Sequence, residues 1–202
     1  RRLLLIQVPY YFGGGKPGAL PIESFKLIFH EIIEDMDTNG LHMLNYGPTG
    51  GIQSLREVLA RRMIEKDKVH LPRGWEDIII STGSQQILYG LLDVLLRPKD
   101  VVITARPSYL GFVAPVTKLG GDVLSVPSDM HGILPEYVEK AINLSIKELK
   151  KKPKAIYVIP DSDNPKGTTL PEKRRRELYN LAETYKILII EDAADREIQF
   201  VD

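Results

Sequence analysis

The 202-residue sequence contains no cysteine, a single tryptophan and no excess of either charge. Without cysteine there is no disulfide staple, no thiolate zinc site and no thiol nucleophile. The 27 Lys and Arg balance the 27 Asp and Glu, so no long-range field gathers phosphate backbones or anionic lipid. Nucleic acid and membrane surfaces are therefore not expected partners. Long apolar runs are missing too. Leu3 to Ile6 and Ile187 to Ile190 fall far short of a bilayer span, and Arg1-Arg2 leads into no signal-peptide core, so a cytoplasmic location is expected. His30, His42, His70 and His131 are scattered without ligand spacing, and no metal site is expected. What the chain does have is 43% hydrophobic residues, enough for a substantial core, which excludes disorder and collagen-like structure.

From about residue 52 onward, helical periodicity alternates with short apolar runs, the pattern of an α/β domain with a largely parallel sheet. Strands are expected at Asp77–Ser81, Val101–Ala105, Val123–Val126, Ala155–Ile159 and Ile187–Glu191. Helices are expected over 52–68 and near 84–97, 109–118, 135–151 and 171–186, the last opened by a Thr169/Glu172 capping box with Pro171 in its first turn. The beginning differs. Residues 1–21, with Gly13-Gly14-Gly15 and Pro17-Gly18, read as an extended arm. Pro21 then opens a helix marked by Ile22, Phe25, Ile28, Phe29, Ile32, Ile33 and Met36, which Asn39-Gly40 is expected to close. Residues 1–50 are thus taken as arm, helix and loop, and 51–202 as the main domain. Because the chain stops just after an apolar strand with no helix to cover it, that domain is expected to be incomplete at its C-terminal end.

In an open α/β sheet the ligand crevice lies beyond the carboxyl ends of the strands, so the residues just after each strand are where chemistry is sought. Ser81-Thr82-Gly83-Ser84-Gln85-Gln86 opens into a helix and offers free N–H groups and a hydroxyl to an anion such as phosphate, or simply caps the helix with Ser84. Arg106-Pro107-Ser108-Tyr109 brings a phenol ring that either stacks on a planar ligand or joins the core. Pro160-Asp161-Ser162-Asp163-Asn164-Pro165-Lys166-Gly167 is a polar, turn-rich loop. Its carboxylates hint at calcium, but Pro165 at the fifth position and Lys166 where glycine is required reject that reading. Glu191-Asp192 ends the last strand with carboxylates suited to a cationic ring nitrogen or to a turn. Asn143-Leu144-Ser145 is a formal glycosylation sequon inside an expected helix and is discounted. A phosphate cradle, a stacking ring, an amide and a carboxylate at one sheet edge suit a flat, phosphorylated heteroaromatic cofactor.

The chain resembles the fold-type I pyridoxal-phosphate enzymes, specifically class I/II aminotransferases of the aminoadipate/multisubstrate type. The matching stretches are Asn45-Tyr-Gly-Pro-Thr-Gly-Gly51 with Leu55-Arg56, Thr82-Gly-Ser-Gln-Gln86, Arg106-Pro-Ser-Tyr109, Asn164-Pro-Lys-Gly167 and Glu191-Asp192, in the family's order and spacing. The resemblance implies a three-layer, largely parallel sheet of the aspartate aminotransferase-like large domain. It also implies pyridoxal 5′-phosphate as cofactor and amino-group transfer between an amino acid and a 2-oxo acid. Gly83, Ser84 and Gln85 would hold the cofactor phosphate, and Tyr46 would reach the phosphate in a neighbouring subunit of a homodimer. Tyr109 would stack on the pyridine ring, Asn164 would hydrogen-bond its O3′, and Asp192 would pair with its nitrogen, keeping it protonated as an electron sink. Gly13–Gly18 resembles the segment that folds over substrate.

Two departures accompany the resemblance. The lysine that binds the cofactor covalently and the arginine that grips the substrate carboxylate lie downstream in the family, so no catalytic lysine is assigned here and Lys166 does not take that role. Where the family has a tyrosine assisting Asn164, this sequence has Asp195, whose charge would repel a phenolate-like oxygen or turn away from it. The resemblance extends to the effector domains of aminotransferase-like transcription regulators. That role, or a non-catalytic relic, is the alternative to an enzyme fragment that is inactive alone.

Overall fold

A computed structural model describes residues 21–197. Most of the expected arm, including Gly13–Gly18, lies outside the described residues. The chain forms two compact units that divide after Ile78. No helix among the described residues is long and apolar enough to cross a membrane.

The first unit contains α1 (Ile22–Met43) and α2 (Gln53–Glu65). Helix α1 starts directly after Pro21 with Glu23 in its first turn, where a carboxylate favours the helix dipole. Phe25, Ile28, Phe29 and Ile32 remain exposed. The helix does not stop at Asn39-Gly40 as expected. One glycine costs a helix about 1 kcal/mol, too little to end it, and the Leu44 N–H closes the last turn on the Gly40 carbonyl at 3.1 Å. Arg56 of α2 fastens this unit. Its guanidinium lies 4.6 Å from the centre of the Trp75 ring, and its Nε donates to the Ile78 carbonyl at 2.7 Å.

The expected strand at Asp77–Ser81 is not formed. Gly74–Asp77 makes a 3-10 turn, and although Ile78 is extended, no strand among the described residues pairs with the run that follows.

The second unit begins with α3 (Ser84–Leu95) and continues through β1 (Val101–Arg106), α4 (Leu110–Lys118), β2 (Asp122–Asp129) and β3 (Gly132–Ile133). The remaining elements are α5 (Pro135–Lys147), β4 (Ala155–Val158), α6 (Glu172–Tyr185) and β5 (Leu188–Glu191). The sheet order is β3-β2-β1-β4-β5, parallel except for the β2/β3 pair. The short hairpin into β3 was not expected. The capping box is absent, because Pro171 occupies the cap position of α6 and no side chain bonds there.

Alternation along the strands sends successive residues to opposite faces, which makes three layers. Val102, Ala155 and Tyr157 face α3 and α4, with Leu88, Leu92, Phe112 and Val116. Ile103, Ile156 and Val158 face α5 and α6, with Val138, Ile142 and Leu178. Both faces of the central strands are therefore dry, as a parallel sheet requires. At the β5 side the cover thins, and Leu188 is 55% exposed. The loops after β1, β4 and β5 emerge at the same sheet edge.

Candidate cofactor site

At that edge, Ser84, Tyr109, Ile159, Asn164, Asp192, Ala194 and Asp195 line one cleft of about 210 Å³. Four residues singled out in the sequence thus come together, and Asp195 joins them.

On one side, α3 begins at Ser84, so Gly83 rather than Ser84 occupies the cap position. Gly83 has φ +76°, a conformation that L side chains rarely adopt. The N–H groups of the first turn of a helix have no intrahelical acceptor and point outward from its start. The loop is lightly tied: Ser81 Oγ donates to the Gly83 carbonyl at 3.0 Å, and the Thr82 N–H donates to Gln86 Oε1 at 2.6 Å. Gln85 does not line the cleft with its side chain. Its Nε2 donates to the Gly111 carbonyl at 2.7 Å, while its Oε1 accepts the Tyr109 hydroxyl at 3.2 Å. Gln85 therefore braces the ring beside which Ser84 lies. A Cβ built on Gly111 would overlap both the Tyr109 ring and Gln85 Oε1, so glycine is needed for this brace.

The opposite side is built on β4 and β5. Asp192 continues the parallel pairing, its N–H donating to the Val158 carbonyl at 2.9 Å. Its Oδ2 accepts the Tyr157 hydroxyl at 2.8 Å, and its Oδ1 accepts the Ala194 N–H at 3.3 Å. Burial, and secondly the hydrogen bond to Asp192, push the Tyr157 phenol well above its ordinary pKa. Asp195 is half-buried and makes no side-chain hydrogen bond or ion pair among the described residues.

Asn164 sits in a loop held at several points. Asp161, 6% exposed, receives Arg175 Nη2 at 2.7 Å, and Arg175 Nε donates to the Leu170 carbonyl at 2.7 Å. Lys166 Nζ donates to the Ser128 carbonyl at 3.1 Å, to Ser128 Oγ at 3.0 Å and to the Asp129 carbonyl at 2.6 Å. Ser128 Oγ in turn donates to the Arg106 carbonyl at 3.0 Å, which ties the loop after β4 to the end of β1. Arg174 adds a two-pronged contact to Asp129, both bonds 2.7 Å. Burial raises the Asp163 carboxyl above its usual range.

Tyr46 lies in the first unit, fully exposed in the loop after α1, its N–H taken by Asn45 Oδ1 at 2.7 Å. Sequence reasoning missed Tyr157 and the tethering by Lys166, Arg174 and Arg175. A tyrosine within the apolar run Ala155–Ile159 was the available signal, because a buried hydroxyl requires a partner.

The cleft's donor set fits a flat cofactor carrying a phosphate and a basic ring nitrogen: helix N–H groups and a hydroxyl at one end, an aromatic ring, an amide, and an oriented carboxylate. Relatives and solved structures agree with that chemistry. The chain is 34% identical over 203 residues to the mitochondrial kynurenine/α-aminoadipate aminotransferase of Mus musculus, covering 93% of this chain and 47% of that protein. The structure of the Pyrococcus horikoshii kynurenine aminotransferase, solved in complex with PMP, superposes with a TM-score of 0.80 at 31% identity, over 89% of this chain and 43% of that one. LysN, the α-aminoadipate aminotransferase of Thermus thermophilus, superposes with a TM-score of 0.81 at 27% identity, over 95% of this chain and 45% of that one. This chain therefore spans about half the length of the relatives it matches. The family described as aminotransferase class I and II matches residues 21–194, and the chain belongs to it.

Proposed function

We propose that this chain supplies the cofactor-holding part of an enzyme that transfers an amino group between an amino acid and a 2-oxo acid. We assign residues 51–202 to its cofactor domain, across the compact-unit boundary after Ile78, and residues 1–50 to its arm, helix and interface loop. The observation that carries the reading is the convergence of Ser84, Tyr109, Asn164 and Asp192 on one cleft.

When bound, pyridoxal 5′-phosphate supplies an electron sink for the bond cleavage at the amino acid's α-carbon. The chain's own residues bind, orient and hold. Ser84 offers its hydroxyl and, with Gln85, the N–H groups that receive the phosphate, while Gly83 shapes the turn with its own N–H donated to the Ser81 carbonyl at 2.9 Å. Tyr109 covers the ring, held at its hydroxyl by Gln85. Asn164 donates to the ring oxygen. Asp192 holds a proton on the ring nitrogen, where its negative charge stabilises the transition state more than the ground state.

Tyr46, exposed on the first unit, is available to a second copy of the chain, and the assembled enzyme is a cytoplasmic homodimer with shared sites. Its role lies in amino acid metabolism, on the biosynthetic side. Neither nucleic acid nor membrane is a partner.

The test uses the protein expressed from its complete reading frame and loaded with pyridoxal 5′-phosphate. Kynurenine, α-aminoadipate and aromatic amino acids are offered as donors with 2-oxoglutarate as acceptor, and formation of the new 2-oxo acid is followed. Absence of transfer from every donor, with cofactor bound, overturns the reading. Sedimentation measures the dimer separately.

A further inference from the structure

Tyr157 carries a buried polar group that none of the roles above uses. The residue is 1% exposed, and its ring stacks on Phe112 at 3.9 Å between centroids with 4° between planes. For that packing phenylalanine would serve equally. The hydroxyl is an added polar atom inside an apolar cluster, and such an atom is unfavourable unless it is hydrogen-bonded. It donates to Asp192 Oδ2 at 2.8 Å. The other carboxylate oxygen accepts the Ala194 N–H at 3.3 Å, so the two bonds together fix the rotation of the carboxylate within the cleft.

Burial and the adjacent carboxylate keep the phenol protonated well beyond the ordinary tyrosine range. The hydroxyl therefore remains a donor at every pH at which such an enzyme works.

We propose that Tyr157 is a positioning residue: through its hydroxyl it holds Asp192 in the orientation that presents a carboxylate oxygen to the ring nitrogen of the cofactor. This rests on the reading that Asp192 faces that nitrogen. Tyr157 itself touches neither cofactor nor substrate. Its contribution is preorganisation, because a carboxylate already fixed loses little freedom when the cationic ring arrives.

The experiment compares the complete protein with its Tyr157→Phe variant, which keeps the stacked ring and removes one oxygen. Dissociation constants are measured for pyridoxal 5′-phosphate and for its analogue with C–H in place of the ring nitrogen. Tyr157→Phe is expected to weaken the natural cofactor about tenfold, the scale of one hydrogen bond to a charged group, and to leave the analogue within about twofold. In an Asp192→Asn background the same change is expected to add nothing further for either ligand. Equal weakening of both ligands, or no weakening, overturns the proposal. So does loss of cooperative melting in Tyr157→Phe, which would assign the hydroxyl to the core instead. Failure of the underlying reading is seen separately, in the unsubstituted protein binding both ligands equally well.

Discussion

The two sides of the cleft are built on opposite plans. The β4/β5 side is fastened before any ligand arrives: Asp192 has both oxygens engaged, and the Asn164 loop is held by Lys166 and Arg175 at seven acceptors. The Ser81–Ser84 side is a short turn closed mainly on itself, with the helix N–H groups facing outward and an added Cβ at Gly83 meeting nothing within 4 Å. The difference follows from what each side would bind. A carboxylate acting on a ring nitrogen depends on direction, since charge and proton must meet along one line, whereas a phosphate offers several equivalent oxygens to an open fan of N–H groups. In the proposed function the fixed side tunes and the open side captures.

Breaking the fixed side at its centre has the largest expected effect. Asp192→Ala removes the charge proposed to stabilise the protonated ring and leaves the Tyr157 hydroxyl, buried in the core, without its acceptor. In the complete enzyme the half-reaction rate with a fixed amino acid donor is expected to fall by at least about 10²–10³-fold. Thermal unfolding should show a loss of about 1–3 kcal/mol from the orphaned hydroxyl. A variant that keeps a hundredth of the rate or more would show that the carboxylate does not face the ring.

The tether tests whether rigidity at a distance matters. Lys166→Met keeps the length of the side chain but removes the ammonium group that joins the Asn164 loop to Ser128 and Asp129. About 1–3 kcal/mol of stability should be lost, because three acceptors lose a charged donor. Cofactor release, followed by its fluorescence, should quicken several-fold while the capture rate stays unchanged. Equal changes in both rates would mean that the tether serves the whole fold and not this side of the cleft.

Much of this arrangement was legible in the sequence, for a physical reason. The βα alternation from Val101 to Glu191 is a local signal, and the rule that ligands sit beyond strand ends picked out Tyr109, Asn164 and Asp192 without any knowledge of contacts. What escaped was non-local or weak. Tyr157 meets Asp192 across 35 positions, and Lys166 meets Ser128 across 38; no spacing rule reaches that far. The run at 77–81 is apolar enough for a strand, but a strand exists only when a partner pairs with it. Hairpin strand β3 is two residues long, too short for period-two alternation to register. Gly40 looked like a stop because glycine is common after helices, yet a single glycine is also tolerated within one.

A pair of glycines separates steric from torsional control of the open side. Gly111→Ala would drive a methyl into the Tyr109 ring and Gln85 Oε1, so the ring must move from the cleft wall. Cofactor affinity is expected to fall about tenfold by absorbance titration, with stability reduced by about 1–3 kcal/mol. Gly83→Ala meets no atom, and its cost is the backbone alone, φ +76° with ψ 164°, a conformation essentially restricted to glycine, about 1–3 kcal/mol. Equal effects of the two substitutions on affinity would erase the distinction between a braced ring and an open turn.

The smallest expected effect concerns acid, and it asks whether the fixed side owes anything to charge behind it. Asp129 lies at the end of β2, and its own carbonyl accepts from Lys166. The Arg174 guanidinium, and secondly the His131 N–H, hold its carboxyl well below the usual carboxylate range. A carboxyl whose folded pKa is depressed contributes stability that is fully present above its unfolded value, near 3.8, and is lost as pH falls through the folded value. The side chain is 41% exposed, so solvent screens the pair and the contribution is about 1 kcal/mol or less. Asp129→Asn keeps the shape and removes the titration. Between pH 5 and pH 2 the unsubstituted protein should therefore lose more of its melting temperature than the variant does, with the curves drawing together as pH falls. Parallel curves would show that Arg174 holds the hairpin by its hydrogen bonds irrespective of charge, and that the fixed side of the cleft is insensitive to pH in this range.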